Sequence, residues 1–147
     1  MAKRRIGRES SDRQRRTSNL PVRLRPDQIL HFVESPQFTR RWGLLGLSEE
    51  TDLWDLQTLI MESPRKGSMI RGTGGLRKLR FAPERDDRGQ RGAYRVLYAY
   101  FEQYHVVFLS LIYGKEETGN ISDAVKMHLS KTISEIEREL SRRKSID

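Results

Sequence analysis

The stretch Gly72–Tyr100, GTGGLRKLRFAPERDDRGQRGAYRVLYAY, decides the fold of this chain. A glycine-rich turn leads into an alternation of basic and apolar residues, which predicts a strand. Successive side chains of a strand point to opposite faces, so Lys78 and Arg80 share one face. Leu79 and Phe81 share the other face, and a second strand follows after a long charged link. The pattern predicts a sheet that is apolar on one side and cationic on the other, a surface suited to an anion such as RNA.

Hydrophobic spacing predicts a strand and two helices before this stretch, and a strand and a helix after it. Ser35–Pro36 is typical of a helix N-cap followed by proline in the first turn, and Ser48 is expected to cap the second helix. The order β-α-α-β-β-β-α predicts an α+β fold, with a small antiparallel-rich sheet and helices packed on one face. The predicted elements are a strand at Ile29–Val33, a helix with Phe38, Trp42 and Leu45 on one face, a helix with a stripe of Leu53, Leu56, Leu59 and Ile60, strands at Leu76–Phe81, Ala93–Phe101 and His105–Tyr113, and a helix from Ser122 with Val125, Leu129, Ile133, Ile136 and Leu140 on its buried side.

The net charge of +8 is unevenly distributed along the 147 residues. Residues 1–26 hold nine Lys or Arg side chains against two acids, and Arg71–Arg95 holds eight against three. The rest of the chain is therefore net negative. Positive charge that is concentrated in this way is typical of proteins that bind polyanions.

The length fits a single folded domain, which we place at 29–147. Residues 1–28 have few apolar side chains and no period, so they cannot bury enough surface to offset the entropy of ordering. We expect them to form a disordered basic extension. Two interpretations of the extension stay open: a solvated tail, or an arm that binds RNA or the ribosome.

The composition also limits which cellular compartment and which kinds of site chemistry are expected. The chain has no cysteine, which leaves no disulfide framework and no thiolate metal site and fits a reducing cytoplasm. No segment approaches the roughly 20 apolar residues of a membrane helix, and the N-terminus lacks the apolar core of a secretory signal. We therefore expect a cytoplasmic protein with no membrane partner.

Two other motifs could carry chemistry but have simpler explanations. Gly72–Gly75 matches neither the Walker spacing nor the dinucleotide fingerprint, and a strand follows it where a helix would be needed. It predicts a turn with positive φ, whose N–H groups could still line an anion site. His31, His105 and His128 have no partner at metal-ligand spacing, so they are read as structural or surface residues. Metal-dependent hydrolysis and a bound cofactor are not expected.

What remains is a set of lysine, arginine and tyrosine side chains. Tyr113 and Lys115 share a strand face, about 7 Å apart along the chain. If the three central strands are neighbours, these two side chains would converge with those of the first two strands on one basic groove. A plain solvated basic surface stays open as the alternative. The set consists of Lys78, Arg80, Arg91, Arg95, Tyr113 and Lys115.

At this point the sequence resembles a known family. The segments FVESPQFTRR (32–41), GTGGLRKLRFA (72–82), RGAYRVLYAY (91–100) and LSLIYGKEETGNIS (109–122) are followed by an amphipathic helix. Together they are similar to the RelE/ParE superfamily of bacterial toxins, closest to its HigB-type branch, over about residues 29–140. The combination is more specific than any one of its segments.

The resemblance implies a RelE-like fold and a toxin of a type II toxin-antitoxin system. Such a toxin enters the decoding site of the ribosome and cuts translated mRNA without a metal, leaving a 2′,3′-cyclic phosphate and a 5′-hydroxyl. By position, Lys78 or Lys115 would accept the proton of the 2′-hydroxyl. The other implied roles are phosphate binding for Arg80 and Arg95, base stacking or proton transfer for Tyr113, and RNA binding for Arg91, Arg77 and Arg71.

The implied partners are a cognate antitoxin, the ribosome with its mRNA, and operator DNA bound through the antitoxin. Residues 1–28 have no counterpart in the family pattern. Two other functions stay open. One is a ParE-like inhibitor of DNA gyrase, which cuts nothing itself, and the other is a non-catalytic RNA-binding module.

Overall fold

A computed structural model of the chain describes residues 24–83, 93–114 and 121–146. Within these ranges, a five-stranded sheet and three helices confirm the α+β class. The elements are β1 (His31–Glu34), α1 (Pro36–Leu44), α2 (Asp52–Glu62), β2 (Ser68–Met69), β3 (Leu76–Phe81), β4 (Tyr94–Phe101), β5 (Val106–Tyr113) and α3 (Asp123–Ile146), with short 3-10 turns at Pro26–Gln28 and Glu102–Tyr104.

The sheet has the strand order β1-β5-β4-β3-β2. Strand β1 runs parallel to β5, and the other three pairs are antiparallel. Strands β4 and β5 form an antiparallel hairpin around the turn at Glu102–Tyr104. Strand β2 was not predicted, because two residues are too few to show a period.

One detail of the predicted architecture is wrong, since the helices cover both faces of the sheet. Helices α1 and α2 pack on the face that includes Phe81 and Val96. Helix α3 packs through Ile133 on the opposite face, against Leu97 and Phe108. The physical reason is the composition of β4 and β5, whose residues are almost all buried on both faces. A strand that is apolar on both sides needs a covering layer on both sides.

The helix ends follow the predicted signals with one shift. The Ser35 hydroxyl accepts the N–H of Phe38 at 2.9 Å, which confirms the N-cap of α1. Helix α2 begins later than expected, because the Ser48 hydroxyl accepts the N–H groups of Thr51 and Asp52 and so caps the turn ahead of the helix. The helix ends at Glu62.

The described part of the chain begins five residues before the predicted domain boundary at Ile29. Leu24 packs against the core on the α1–α2 side of the sheet. Leu30 is buried, and its N–H donates to the sulfur of Met61 at 3.4 Å. Strand β1 starts at His31 rather than at Ile29, whose side chain is exposed. Residues 1–23 lie outside the described ranges.

Tyr98 fixes the loop between α2 and β2. Its fully buried hydroxyl donates to the carbonyl of Pro64 at 2.7 Å and accepts the N–H of Gly67 at 3.1 Å. Tyr98→Phe is expected to lower the free energy of unfolding by about 1–3 kcal/mol, since both loop groups lose their partner. Urea unfolding at pH 7 measures this, with Tyr104→Phe on the exposed turn as the control. An unchanged free energy would contradict the role given to this hydroxyl.

The same residue predicts a pH dependence. Burial raises the pKa of Tyr98 above the usual tyrosine value of about 10, an effect that the bond from Gly67 and the charge of Arg77 reduce. A raised pKa in the folded state means that the unfolded chain loses this proton first, so the contribution is complete below about pH 10 and is lost as pH rises further. Tyr98→Phe is expected to show a smaller loss of stability between pH 9 and 11 than the wild type. Equal losses would contradict the assignment.

Candidate nucleic-acid interface

Strand register brings four predicted site residues onto one face of the sheet. Arg80 on β3 lies opposite Arg95 on β4, and Arg95 lies opposite Tyr113 on β5. Lys78 shares the face of Arg80 by strand alternation and lies opposite Leu97. Neighbouring strands are about 4.8 Å apart, so the row from β3 to β5 spans about 10 Å. We call Lys78, Arg80, Arg95 and Tyr113 the basic cluster.

A β-bulge places Tyr113 in this cluster. Leu111 lies opposite Leu97, but Leu109 lies opposite Tyr98, which leaves Ser110 as an extra residue in β5. A bulge reverses the alternation of side chains beyond it. Leu109 accordingly packs with α1 and α2, while Leu111 and Tyr113 pack on the α3 side. If Ser110 were paired with Leu97 in a regular ladder, Tyr113 would lie opposite Tyr94 and point away from Arg95.

Helix α1 holds this end of β5 in place. The register of β1 ends at Glu34, opposite Leu109, so β5 continues without a strand on that side. The Ser35 hydroxyl donates to the carbonyl of Ser110 at 2.8 Å, and Arg41 Nε donates to the carbonyl of Ile112 at 2.6 Å. Sequence reasoning missed Arg41, and nothing in the local pattern of α1 marks it, because its role depends on how α1 docks.

The basic cluster lowers the stability of the folded protein. Arg80 and Arg95 place like charges at directly opposite positions, an arrangement that destabilises a sheet. Nη1 of Arg95 is buried and has no hydrogen-bond partner in the described part of the chain, a defect worth about 1–3 kcal/mol. Lys78 and Arg95 are half-buried, Arg80 is exposed, and Tyr113 is buried. An anion between the two guanidinium groups would relieve the repulsion and the missing hydrogen bond.

Two predicted RNA-binding residues lie elsewhere. Arg77 lies on the opposite face of β3, where Nη1 donates to the carbonyls of Arg65 at 3.0 Å and Gly67 at 2.8 Å. It therefore supports the loop after α2 rather than joining the basic cluster. Arg71 is exposed in the turn before β3, at the end of that strand away from Arg80.

Arg91 and Lys115 lie outside the described residues. The segments that contain them, 84–92 and 115–120, join the sheet at one end, because β3 ends and β4 begins beside the end of β5. This is the end that carries Arg80, Arg95 and Tyr113. Because both segments attach at this end of the sheet, Arg91 and Lys115 stay candidates for the same site.

The glycine-rich turn has the backbone conformation that the sequence predicted. Gly72 and Gly74 have φ of +83° and +75°, which confirms a turn with positive φ. A Cβ at Gly74 would lie 3.0 Å from the hydroxyl of Ser130, so the turn packs closely on α3. All three histidines are exposed. Within ranges 24–83, 93–114 and 121–146, no three His, Asp or Glu side chains are grouped as metal ligands would be.

Within the described ranges, no helix combines the length and the apolar character that crossing a bilayer requires.

The solved structures to which this chain is similar include two of the RelE toxin from E. coli. A double arginine-to-alanine mutant in the free state is 22% identical, covers 61% of this chain and 86% of its own, and has a TM-score of 0.43. The isolated toxin in its P21 form is 24% identical, covers 69% of this chain and 100% of its own, and has a TM-score of 0.45. No family model matches the chain. At these identities and TM-scores, the function has to be argued from the side chains of this chain.

Proposed function

We propose that this chain is the toxin of a type II toxin-antitoxin system and cleaves mRNA on the ribosome. The observation that carries the proposal is the row of Arg80, Arg95 and Tyr113 across three strands, with a buried guanidinium N–H that lacks a partner among the described groups. The motif similarity to the RelE/ParE superfamily, and to its HigB-type branch, supports the same assignment.

The proposed reaction is an attack within the RNA chain. The 2′-oxygen forms a bond to the adjacent phosphorus while the bond from phosphorus to the 5′-oxygen breaks. The proton of the 2′-hydroxyl passes to a lysine, either Lys78 or Lys115, and a proton donor such as Tyr113 protonates the leaving 5′-oxygen. Arg80 and Arg95 would bind the phosphate and stabilise the negative charge that develops on it, which is the most effective use of fixed positive charge in a site.

These residue types explain why the ribosome would be needed. Free lysine and tyrosine side chains titrate near pH ~10, so neither is an efficient base at neutral pH. Most of the rate must then come from the orientation of the RNA and from preorganised charge. A ribosome that holds mRNA bent and fixed would supply that orientation. Arg91 and Arg71 are proposed to bind flanking phosphates, whereas Arg77 is the weakest candidate because it faces the other way.

The proposal includes the partners of such a system. A cognate antitoxin would neutralise the basic cluster and bind operator DNA, and the toxin would act in the cytoplasm. No cofactor is needed for the proposed chemistry.

The test is expression of the chain in bacteria with mapping of mRNA 5′ ends. A reporter mRNA is compared with the same mRNA carrying a destroyed start codon, so that only translation differs. We expect new 5′ ends inside the coding region of the translated reporter alone. Equal cutting of both reporters would overturn ribosome dependence. Growth arrest without cuts but with loss of DNA supercoiling would favour the gyrase alternative.

A further inference from the structure

Helix α2 is at least partly covered on all sides. Its apolar side, with Leu53, Leu56 and Ile60, packs in the core. At 100° per residue, the opposite side carries Trp54, Asp55, Thr58 and Glu62. Thr58 is only 2% exposed and the other three are half-buried, so the outer side is covered as well.

Polar atoms on this helix indicate what kind of group covers it. Trp54 Nε1, Gln57 Nε2 and Thr58 Oγ1 are buried, and none has a hydrogen-bond partner in the described part of the chain. The side chain of Gln57 is only 1% exposed. Buried polar groups are nearly always hydrogen-bonded in native proteins. Trp54 and Thr58 lie on the outer side, so these two atoms call for a covering segment that brings hydrogen-bonding groups of its own.

The charges in and around α2 indicate the sign of the charge that the covering segment carries. The sequence has no Lys, Arg or His between Trp42 and Pro64. The same stretch holds five acids, namely Glu49, Glu50, Asp52, Asp55 and Glu62. A basic segment therefore fits this surface.

The chain itself contains such a segment. Residues 1–23 carry eight Lys or Arg side chains and two acids. They join the described fold at Leu24, which packs in the same core cluster as α2. The bond from the Leu30 N–H to Met61 places the following residues beside the same helix. At about 3.3 Å per extended residue, five or six residues would span the roughly 16 Å of an eleven-residue helix, so the length is ample.

We propose that residues 1–23 bind along the outer side of α2. Their arginines pair with the acids of this surface, and their backbone groups hydrogen-bond with Trp54 and Thr58. The extension is then an intramolecular strap whose charge is neutralised within the molecule, rather than an arm for RNA. This inference does not depend on the proposed enzymatic function.

Spin labelling can test the strap at a single chosen position, because the chain has no native cysteine that would also take up the label. A nitroxide is attached to Ser10→Cys, and the amide signals of ¹⁵N-labelled protein are recorded by NMR. We expect loss of amide intensity across Asp52–Glu62 at low salt. The intensity should return near 1 M salt, where the Debye length is about 3 Å. A label at Ser134→Cys, exposed on the opposite side of the sheet, should leave α2 unaffected.

A matched pair of charge variants completes the experiment. Asp55→Asn with Glu62→Gln should restore the α2 signals, whereas Glu135→Gln with Glu137→Gln on α3 should not. Mixing spin-labelled ¹⁴N protein with unlabelled ¹⁵N protein detects contact between copies. Intensity loss in that mixture would assign the surface to a second copy and overturn the proposal. Unaffected α2 signals in the Ser10→Cys sample would indicate that the extension is a solvated tail, and this result would also overturn the proposal.

Discussion

Arg95→Ala is expected to lower mRNA cleavage about 10²–10³-fold, the range typical for loss of one group that stabilises developing negative charge. Arg95 is the central residue of the row, between Arg80 and Tyr113, and its Nη1 is buried without a partner among the described groups. The same variant should leave the free energy of unfolding unchanged or higher. It removes a like-charge pair and an unsatisfied buried donor, both of which destabilise the fold.

This opposite response of activity and stability separates a binding role from a structural one. The measurement combines the count of mapped mRNA ends with urea unfolding of the purified variant. Arg40→Ala, which removes an exposed arginine of α1, is the matched control and should retain cleavage. A stability loss in Arg95→Ala without loss of cleavage would show that Arg95 serves the fold.

Insertion of one alanine between Leu111 and Ile112 is expected to abolish cleavage and to lower the free energy of unfolding by about 2–5 kcal/mol, a cost comparable to the loss of a large core side chain. A shift of one residue moves every following side chain of a strand to the other face. Ile112, which is fully buried, would leave the core beside α1 and α2, and Tyr113 would leave the basic cluster. Expression followed by end mapping and urea unfolding measures both effects.

Ser110→Ala is the control for this insertion because it keeps the length of β5. The carbonyl of Ser110, not its hydroxyl, accepts the bond from Ser35. The substitution should therefore retain cleavage and most of the stability. An insertion variant that keeps full activity would contradict the placement of Tyr113 in the basic cluster.

Much of the fold could be predicted because local patterns agree with it. The alternation in Leu76–Phe81 matches β3 residue for residue, and the Ser35–Pro36 signal marks the start of α1. The pairing of Lys78 with Arg80 on one face follows from strand geometry alone. These features depend on side chains within a few residues of one another.

The parts that could not be predicted depend on contacts between distant residues. The bulge at Ser110 exists only in the pairing of β5 with β4, and Arg41 reaches Ile112 only because α1 docks beside β5. Arg77 is as basic as its neighbours, yet its guanidinium supports a loop on the other face. The second helical layer follows from the two-sided burial of the central strands, which alternation in β3 does not reveal.

The chemistry of the RNA ends tests the central claim most directly. Purified protein is added to ribosomes that carry a defined mRNA, and the products are examined for their terminal groups. The proposed reaction predicts fragments with a 2′,3′-cyclic phosphate on one side of the cut and a 5′-hydroxyl on the other, and none with Arg95→Ala. Fragments with a 5′-phosphate, or intact mRNA with wild-type protein, would contradict the assignment of the basic cluster as an RNA-cutting site.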